Sequence, residues 1–387
     1  MESGSTSIEL SVVMPCLNEA ETVEACVRKA LAFFARAGVT GEVVVGDNGS
    51  IDGSPHLAIA AGALAVEVPE RGYGSAIMGA VNTARGTYVI MGDADDSYDF
   101  SSLDAMLAEL RNGNDLVMGN RFKGGIMPGA MPWLHRYLGN PVLSFVGRLF
   151  FGGTKLDFHC GLRGFRREAF FRWKLHTPGM EFASEMVVKA LLAGSRITEV
   201  PVVLYPDGRS RRPHLRTWRD GWRHLRFLLL LSPRWLFLYP GSLLFTVGLG
   251  AGALIVPRQQ WIFDVHTLLY CSTAIIVGFN LMLFGALAQI FGNRMELLPS
   301  SSLLRLLHRH FTLEIGVFIG LFLFTCGMAA SVYAVSLWSS EGFGDIEPTT
   351  VLRIVIPATT AIMLGLQAVF ASFLVSFSFL RVNEVSQ

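Results

Sequence analysis

The sequence predicts an α/β domain with a mostly parallel sheet, followed by an all-α transmembrane domain of four helices. Residues 1–234 contain 50 of the 63 charged residues and alternate β-branched runs with helical patterns. Residues 235–387 contain only 13 charged residues and no lysine. Across all 387 residues, 51% are hydrophobic and 16% are charged, whereas soluble domains average about 25% charged residues. This composition excludes a wholly soluble protein, a disordered protein and a small disulfide scaffold.

The polar part contains five predicted strands, each an apolar run that a turn or a polar loop ends. They are Leu10–Met14, Glu42–Gly46, Leu64–Val68, Tyr88–Gly92 and Leu116–Gly119. Helical spacing occurs at 21–37, ending before Gly38, at 74–84, and from about residue 101. Continuous β-branched runs flanked by helices are typical of parallel strands that are buried on both faces.

Three acidic loops follow predicted strands, at 15–19, 47–54 and 93–97. Ligands of open α/β sheets bind beyond the carboxyl ends of the strands, so these loops predict a site for a nucleotide and a metal. Asp93 and Asp95 stand two residues apart and can share a hard divalent cation that neutralises a diphosphate. The alternative is a cluster that only caps the next helix. The sequence has neither a dinucleotide fingerprint nor a P-loop.

Four windows of the second part contain no charged residue, at 235–257, 265–293, 315–340 and 354–380. Each exceeds the roughly 20 residues that span a bilayer, and the predicted spans are 235–257, 267–292, 315–338 and 354–380. The alternative is four buried helices of a soluble core. Arginines concentrate before the first span and between the second and third. The positive-inside rule therefore predicts a cytosolic N-terminal part, and the uncharged spans favour an anchor over a transporter.

Two segments are candidates for lying on the membrane surface. In the basic segment 207–234, the apolar residues Leu215, Trp218, Trp222, Leu225 and Leu229 share one helical face. That pattern is typical of an interfacial helix on anionic lipid. Segment 132–151 also combines aromatic residues with arginines, and either lies on the membrane or packs against the core.

Charge and cysteine content exclude further classes. A net charge of +1 argues against a nucleic-acid partner. The five cysteines form no CxxC pair, which disfavours a zinc cluster or a disulfide framework. The N-terminus lacks the pattern of a signal peptide, and we expect the polar part to stay in the cytosol.

The sequence also resembles a known family. The segments that match, in order and spacing, are PCLNEAETV, VVVGDNGSIDGS, ARGTYVIMGDADDS, VMGNRF, DFHCGLRGFRREAF and EFASEM. They resemble glycosyltransferase family 2 over about residues 8–215, and within it the dolichol-phosphate mannose or glucose synthase branch of polyprenyl-phosphate glycosyltransferases. The resemblance implies a GT-A fold, a UDP- or GDP-hexose donor, Mg²⁺ or Mn²⁺, inverting transfer, and a dolichyl- or undecaprenyl-type phosphate acceptor.

The resemblance also implies site residues, position by position. On the donor side these are Pro15, Asn18 and Glu19 in the first nucleotide loop, Asp47 near the base, Asp93 and Asp95 for metal and diphosphate, and Arg209 in a loop over the diphosphate. On the acceptor side they are Arg121 and Arg136. Asn48, Cys160 and Leu162 depart from the usual residues of the family. For Arg121, the alternative is a surface arginine that pairs with Asp115 or Glu109.

The predicted organisation has four parts: a cytosolic GT-A domain at 1–206, the interfacial segment at 207–234, the transmembrane domain at 235–381 and a cytosolic tail at 382–387. This describes a multi-pass integral membrane protein, in the cell membrane if the source is bacterial. One alternative is a processive polysaccharide synthase, although Leu231 stands where the QxxRW motif of that class has Gln. Another is a transporter or flippase with a degenerate nucleotide-sugar domain. The sugar, the nucleotide, the metal and the oligomeric state stay open, and a homo-oligomer is allowed.

Overall fold

The computed structural model describes residues 7–153, 156–210, 217–257, 264–299, 312–340, 342–344 and 347–379. Leu215, which the sequence places on the apolar face of the interfacial helix, and several of the arginines that predict the membrane orientation, such as Arg305 and Arg309, lie outside these residues. The chain divides into two compact units, Met1–Leu228 and Leu229–Gln387.

Unit 1 is built on a seven-stranded sheet. Its strands are β1 (Leu10–Cys16), β2 (Gly41–Asp47), β3 (Leu64–Glu67), β4 (Tyr88–Met91), β5 (Leu116–Asn120), β6 (Arg163–Arg166) and β7 (Ile197–Pro201), in the order β3-β2-β1-β4-β6-β5-β7. The five predicted strands are present, and β6 and β7 are additional. Every pairing is parallel except those of β6, which runs antiparallel between β4 and β5. The predicted mostly parallel α/β fold is thus confirmed.

The register brings the ends of the donor-side strands to one edge. Cys16 of β1 pairs with Asp47 of β2, and Val13 of β1 pairs with Met91 of β4. The acidic loops that follow these strands therefore leave the sheet together. Because β6 is antiparallel, the segment that precedes it reaches the same edge.

Helices cover the sheet and connect its strands. They are α1 (Val23–Ala37), α2 (Ser54–Ala60), α3 (Tyr73–Thr83), α4 (Asp104–Arg111), α5 (Arg121–Gly124), a π-helical turn (His135–Gly139), α6 (Asn140–Phe151), α7 (Arg167–Trp173), α8 (Phe182–Leu192) and α9 (Thr217–Leu230). The first ends at Gly38, as the sequence predicts, because a φ of +62° suits glycine. Buried apolar residues of α1, such as Val27 and Phe33, pack in the core with Val12 and Val43.

The two amphipathic segments leave large apolar side chains exposed. Around α6 these are Trp133, Tyr137, Leu138, Val142, Phe145 and Leu149. On α9, Trp218 and Trp222 are exposed while Asp220, His224 and Leu228 are buried. Of the two readings of 132–151, packing of its aromatic residues into the core is wrong for Trp133 and Phe145, which are 71% and 56% exposed.

Unit 2 contains four long helices that are apolar enough to cross a membrane. They are α10 (Tyr239–Ile255), preceded by a π-helical turn (Arg234–Leu238), α11 (Val265–Arg294), α12 (Leu313–Ser340) and α13 (Pro348–Phe379). Only 17–28% of each apolar window is buried inside the protein, so most of it is left to face lipid. The all-α second part of the predicted fold is confirmed.

Small residues let these helices pack closely in pairs. A Cβ on Gly248 of α10 would lie 2.7 Å from a backbone oxygen of α11, and one on Gly320 of α12 would lie 2.7 Å from a backbone oxygen of α13. Glycine at such contacts is the usual means of close helix packing in bilayers. A hydrogen bond between the hydroxyls of Ser272 and Thr360 joins α11 to α13.

Candidate functional site

The loops after β1 and β2 are bound to each other. The backbone N–H of Asn18 donates to Ser50 Oγ over 2.8 Å, and Asn18 Oδ1 accepts from Ile51 N–H over 2.8 Å. The Glu19 N–H donates to Ser54 Oγ over 2.7 Å. Pro15 lies partly buried within β1, just before these contacts. The predicted residues Pro15, Asn18 and Glu19 therefore form one side of a single, well-fixed edge.

Asp47 closes the turn at the end of β2. Its carboxylate is buried and accepts the N–H groups of Gly49 and Ser50, each over 3.1 Å. The amide of Asn48 donates to the carbonyls of Val68 and Glu70. Asn48, the departure from the family pattern, thus ties this turn to the chain that follows β3.

Asp93 is half-buried and Asp95 is buried, both directly after the end of β4. Burial, and after it the negative charge of Asp95, raise the pKa of Asp93 to about 7. The loop before β6 presses on the same carboxylate, because a Cβ on Gly161 would lie 2.5 Å from Asp93 Oδ2. Asp95 Oδ1 accepts the N–H of Ser97 over 3.1 Å. Two carboxylates are held close together here, which favours a cation between them.

Arg209 provides the nearest positive charge. Its Nη1 lies 2.9 Å from Glu19 Oε1, and its Nη2 lies 2.7 Å from Asp95 Oδ2 and 3.1 Å from Asp207 Oδ2. Burial acts to lower the pKa of Arg209, but the charges of Asp95 and Glu19 outweigh it and raise the pKa. The structure therefore brings Glu19, Asp95 and Arg209 together across 190 residues of sequence.

The carboxylates of Asp93 and Asp95 fit a divalent cation whose coordination shell the substrate completes. Among the described residues, no group of three or more His, Cys, Asp or Glu side chains could hold a metal by itself. Mg²⁺ is commonly held by one or two carboxylates, with phosphate oxygens and waters completing the shell. Asp93 and Asp95 supply such a pair of hard oxygen ligands.

Arg121 is buried against an aspartate that the sequence did not single out. Its Nε and Nη2 donate to the two carboxylate oxygens of Asp157, each over 2.8 Å. Arg121 is 7% exposed and Asp157 is 3% exposed. The alternative of a surface arginine paired with Asp115 or Glu109 is wrong. The third nitrogen, Nη1, makes no hydrogen bond to the described residues, so the guanidinium keeps a free donor.

Arg136 lies apart from this group. It is in the π-helical turn before α6, with its guanidinium 5.6 Å from the ring centroid of Tyr137. No ion pair joins it to a carboxylate within the described parts of the chain. Burial, and after it the charge of Arg121, lower the pKa of the neighbouring His135.

The segment 157–161 carries residues that sequence reasoning missed. Arg163, which is fully buried, donates to the carbonyls of Phe158 and Cys160 and fixes this segment. The His159 ring packs against His224 with centroids 4.7 Å apart. His159 Nε2 is buried without a hydrogen-bond partner among the described residues. The signal for these residues was the segment DFHCGLRGF itself, whose Asp157 and His159 precede an unrecognised strand.

Comparisons with known proteins identify the family. The model of glycosyl transferase family 2 matches residues 11–172, and that of the glycosyltransferase family 2 C-terminal transmembrane region matches 286–378. The low-salt glycan biosynthesis hexosyltransferase Agl6 of Haloferax volcanii is 38% identical over 94% of this chain and 88% of its own length. The chain belongs to glycosyltransferase family 2. It is therefore a membrane glycosyltransferase that uses nucleotide sugars, and the resemblance seen in the sequence is confirmed.

Two further similarities concern a curated relative and a solved structure. A dolichyl-phosphate hexose transferase of Haloferax volcanii is 31% identical over 50% of this chain and 82% of that protein. Among solved structures, a glucosyl-3-phosphoglycerate synthase of Mycobacterium tuberculosis, in complex with Mn²⁺, UDP and its product, aligns with a TM-score of 0.44 and 21% identity. That alignment covers 58% of this chain and 78% of that one.

Removing one partner of the buried ion pair between Arg121 and Asp157 is predicted to cause a large loss of stability. Asp157→Ala leaves a buried guanidinium without its counter-charge, which costs about 3–5 kcal/mol in the free energy of unfolding. The matched control is Arg172→Ala, which cuts an exposed pair with Asp115 and costs under about 1 kcal/mol. Thermal unfolding of the two purified variants measures the difference, and equal shifts would contradict the assignment.

Proposed function

We propose that this enzyme transfers a hexose from a UDP- or GDP-hexose to a polyprenyl phosphate, with a divalent cation on the donor diphosphate. The observation that carries the proposal is one contact between two loops. The loop that holds Asp157 against Arg121 also places Gly161 against Asp93. A buried arginine with a free donor thus lies on the same edge as the carboxylates of the donor side.

On the donor side, Pro15, Asn18, Glu19 and Asp47 form the nucleotide pocket in this proposal. Asp93 and Asp95 hold Mg²⁺ or Mn²⁺, and Arg209 contacts the diphosphate. When bound, the cation neutralises the charge that develops on the leaving diphosphate. The fixed loops after β1 and β2 orient the nucleotide, so that the sugar is presented toward the loop at 157–161.

On the acceptor side, the chemistry needs charge neutralisation more than a base. A phosphate monoester has a second pKa of about 6 and is largely ionised at neutral pH, so its oxygen is already nucleophilic. Two anionic substrates must approach each other, and arginine offsets their repulsion with planar, bidentate contacts. Arg121 offers its charge and its free Nη1 to the acceptor phosphate while its Nε and Nη2 stay on Asp157. Arg136 is the second candidate.

Exposed apolar side chains support a lipid as the acceptor. Trp133, Tyr137, Phe145 and Leu149 lie exposed beside Arg136. Residues 116–156 contain five lysines and arginines and no acidic residue. Such a surface suits anionic lipid headgroups and the acyl region below them. The name of the Haloferax volcanii relative, a dolichyl-phosphate hexose transferase, agrees with this class of acceptor.

A transfer assay tests the proposal directly. Membranes that contain the enzyme are incubated with a panel of radiolabelled UDP- and GDP-hexoses, followed by extraction with organic solvent. Label that moves into an acid-labile lipid, and that increases when polyprenyl phosphate is added, supports the proposal. Label in a high-molecular-weight polymer indicates a polysaccharide synthase, and the proposal is then wrong.

Asp95→Asn is expected to lower transfer at least about a hundredfold. The substitution keeps the size of the side chain but removes a charged metal ligand, and losing a main electrostatic stabiliser of a transition state costs on this scale. Initial rates at saturating donor measure the loss, and EDTA should abolish wild-type activity. Near-normal activity of the variant, or full wild-type activity in EDTA, contradicts a metal at Asp95.

Arg121→Lys is expected to raise the KM for the lipid phosphate or lower kcat, while nucleotide-sugar affinity stays within a few-fold. Lysine keeps the charge that balances Asp157 but loses the fork that reaches both Asp157 and a phosphate. Arg121→Ala should have a larger kinetic effect, with the stability loss of an unpaired Asp157. Calorimetric titration of the donor separates the cases. A large loss of donor binding would assign Arg121 to the donor instead.

The arginine distribution predicts that residues 1–234 and 294–313 face the cytosol. A cysteine introduced at Ser340 should react with a membrane-impermeant maleimide on intact cells, whereas one introduced at Ser301 should not. Both should react after permeabilisation, which controls for access to the side chain. Labelling of position 301 alone in intact cells would invert the topology.

A further inference from the structure

Arg209 is held on the very carboxylates that a cation would need. One guanidinium nitrogen contacts Glu19 Oε1, and another contacts Asp95 Oδ2 and Asp207 Oδ2, all within 2.7–3.1 Å. The Arg209 side chain is 12% exposed, and those of Glu19 and Asp95 are 7% and 11% exposed. The contact is therefore shielded from water, and ion pairs in such places are screened much less than surface pairs.

The backbone beneath Arg209 is fixed while its side chain spans the site. The Gly208 N–H donates to the carbonyl of Asp95 over 2.9 Å. The Ser210 N–H donates to Glu21 Oε2 over 2.7 Å. The Cα of Arg209 is thus anchored on both sides, to the loops after β4 and β1. A change of partner by Arg209 requires only rotation of its own long side chain.

We propose that Arg209 is an internal counter-cation that competes with the divalent ion for Asp95 and passes to the donor diphosphate, so that metal and nucleotide bind as a coupled pair. The inference rests on the proposed function and deepens it by naming the order of charge exchange. Glu19 in this arrangement serves mainly as the second anchor of Arg209.

Competition follows from the geometry at Asp95. Its Oδ1 already accepts the Ser97 N–H, and its Oδ2 is 2.7 Å from Arg209 Nη2. A divalent ion on Oδ2, at the roughly 2.0–2.1 Å of an Mg²⁺–oxygen contact, brings a dication beside the guanidinium. The two cations repel each other strongly in this shielded site. The ion alone therefore binds weakly unless Arg209 leaves.

The donor diphosphate offers Arg209 an alternative binding partner to Asp95. The guanidinium fork matches phosphate oxygens as well as it matches carboxylates. A nucleotide that accepts Arg209 frees Asp95 for the ion, and the ion in turn binds the same diphosphate. Such coupling is reciprocal and amounts to about 5–150-fold in affinity in typical cases.

The neighbouring residue offers a matched control. Lys29 Nζ lies 2.6 Å from Asp96 Oδ1, one residue along the chain from Asp95. Lys29→Ala removes one positive charge near the site without removing a contact on Asp95. A general electrostatic effect would raise the Mn²⁺ affinity of Lys29→Ala and of Arg209→Ala alike. Direct competition raises the Mn²⁺ affinity of Arg209→Ala only.

The test is Mn²⁺ binding to the purified full-length chain, measured by electron paramagnetic resonance of the free ion with and without UDP or GDP. Arg209→Ala should bind Mn²⁺ alone at least about tenfold more tightly than wild type. The tightening of Mn²⁺ by nucleotide should be smaller than in wild type, by about the same factor. Arg209→Lys should lie between the two, and Lys29→Ala should match wild type within about threefold.

Three outcomes would overturn the inference. The first is an equal Mn²⁺ affinity of wild type and Arg209→Ala. The second is a rise in Mn²⁺ affinity in Lys29→Ala as large as that in Arg209→Ala. The third is an equal effect of nucleotide on Mn²⁺ affinity in wild type and Arg209→Ala. None of these results touches the transfer of sugar to lipid, which the extraction assay measures separately. Conversely, a failed transfer assay with the expected Mn²⁺ behaviour leaves the coupling intact and rejects only the acceptor.

Discussion

The crowding of negative charge at one sheet edge is the constraint on which the site depends. Glu19, Asp95 and Asp207 share one guanidinium, and Asp93 lies beside them with its pKa raised by burial. Carboxylates this close repel each other unless cations lie between them. The fold balances the repulsion with the long side chain of Arg209, whose backbone is fixed on both sides by hydrogen bonds. Arg209 supplies this positive charge to Glu19, Asp95 and Asp207.

Rigid loops keep this charge cluster in place. The turn that Asp47 closes, the hydrogen bonds from Asn18 and the carbonyls held by Arg163 leave little freedom to the backbone around it. Buried arginines with complete sets of partners are costly to disturb. They hold the edge of the candidate site by polar contacts, whereas the strands below it are held by apolar packing. Enzyme sites commonly need this preorganisation, since charges fixed in advance need not reorganise during reaction.

Much of this arrangement can be predicted from sequence, and the limits have physical causes. The strands β1, β2 and β4 are continuous apolar runs, so their ends locate the acidic loops that follow. The four long helices are likewise continuous apolar runs, so the hydrophobic windows locate them. β6 was missed because its four residues include two arginines and no apolar run. Its pairing with β4 and β5 makes it a strand, and neighbours so distant in sequence leave no local pattern.

The partners of the site residues were beyond sequence reasoning for a related cause. Arg209 was expected over a diphosphate, but its contacts with Glu19 and Asp95 are 190 and 114 residues away. Asp157 appeared in a matching segment without a role. Its pairing with Arg121 depends on the antiparallel turn of β6, which no periodicity indicates. The candidate residues can be predicted from their side-chain chemistry in the sequence. Which of them are in contact depends on the order and direction of the strands.

The strand order also separates the residues proposed for the acceptor from those proposed for the donor. The chain leaves the sheet after β5, makes α6 with its exposed aromatic face, and returns through β6 beside β4. This excursion carries Arg121 and Arg136, whereas the loops proposed to bind the nucleotide follow β1, β2 and β4. Its length and surface can therefore change without disturbing the register of the central strands. Under the proposed function, an exchange of the part of this excursion that precedes the 157–161 segment alters which acceptor is admitted and leaves the contact of Gly161 with Asp93 in place.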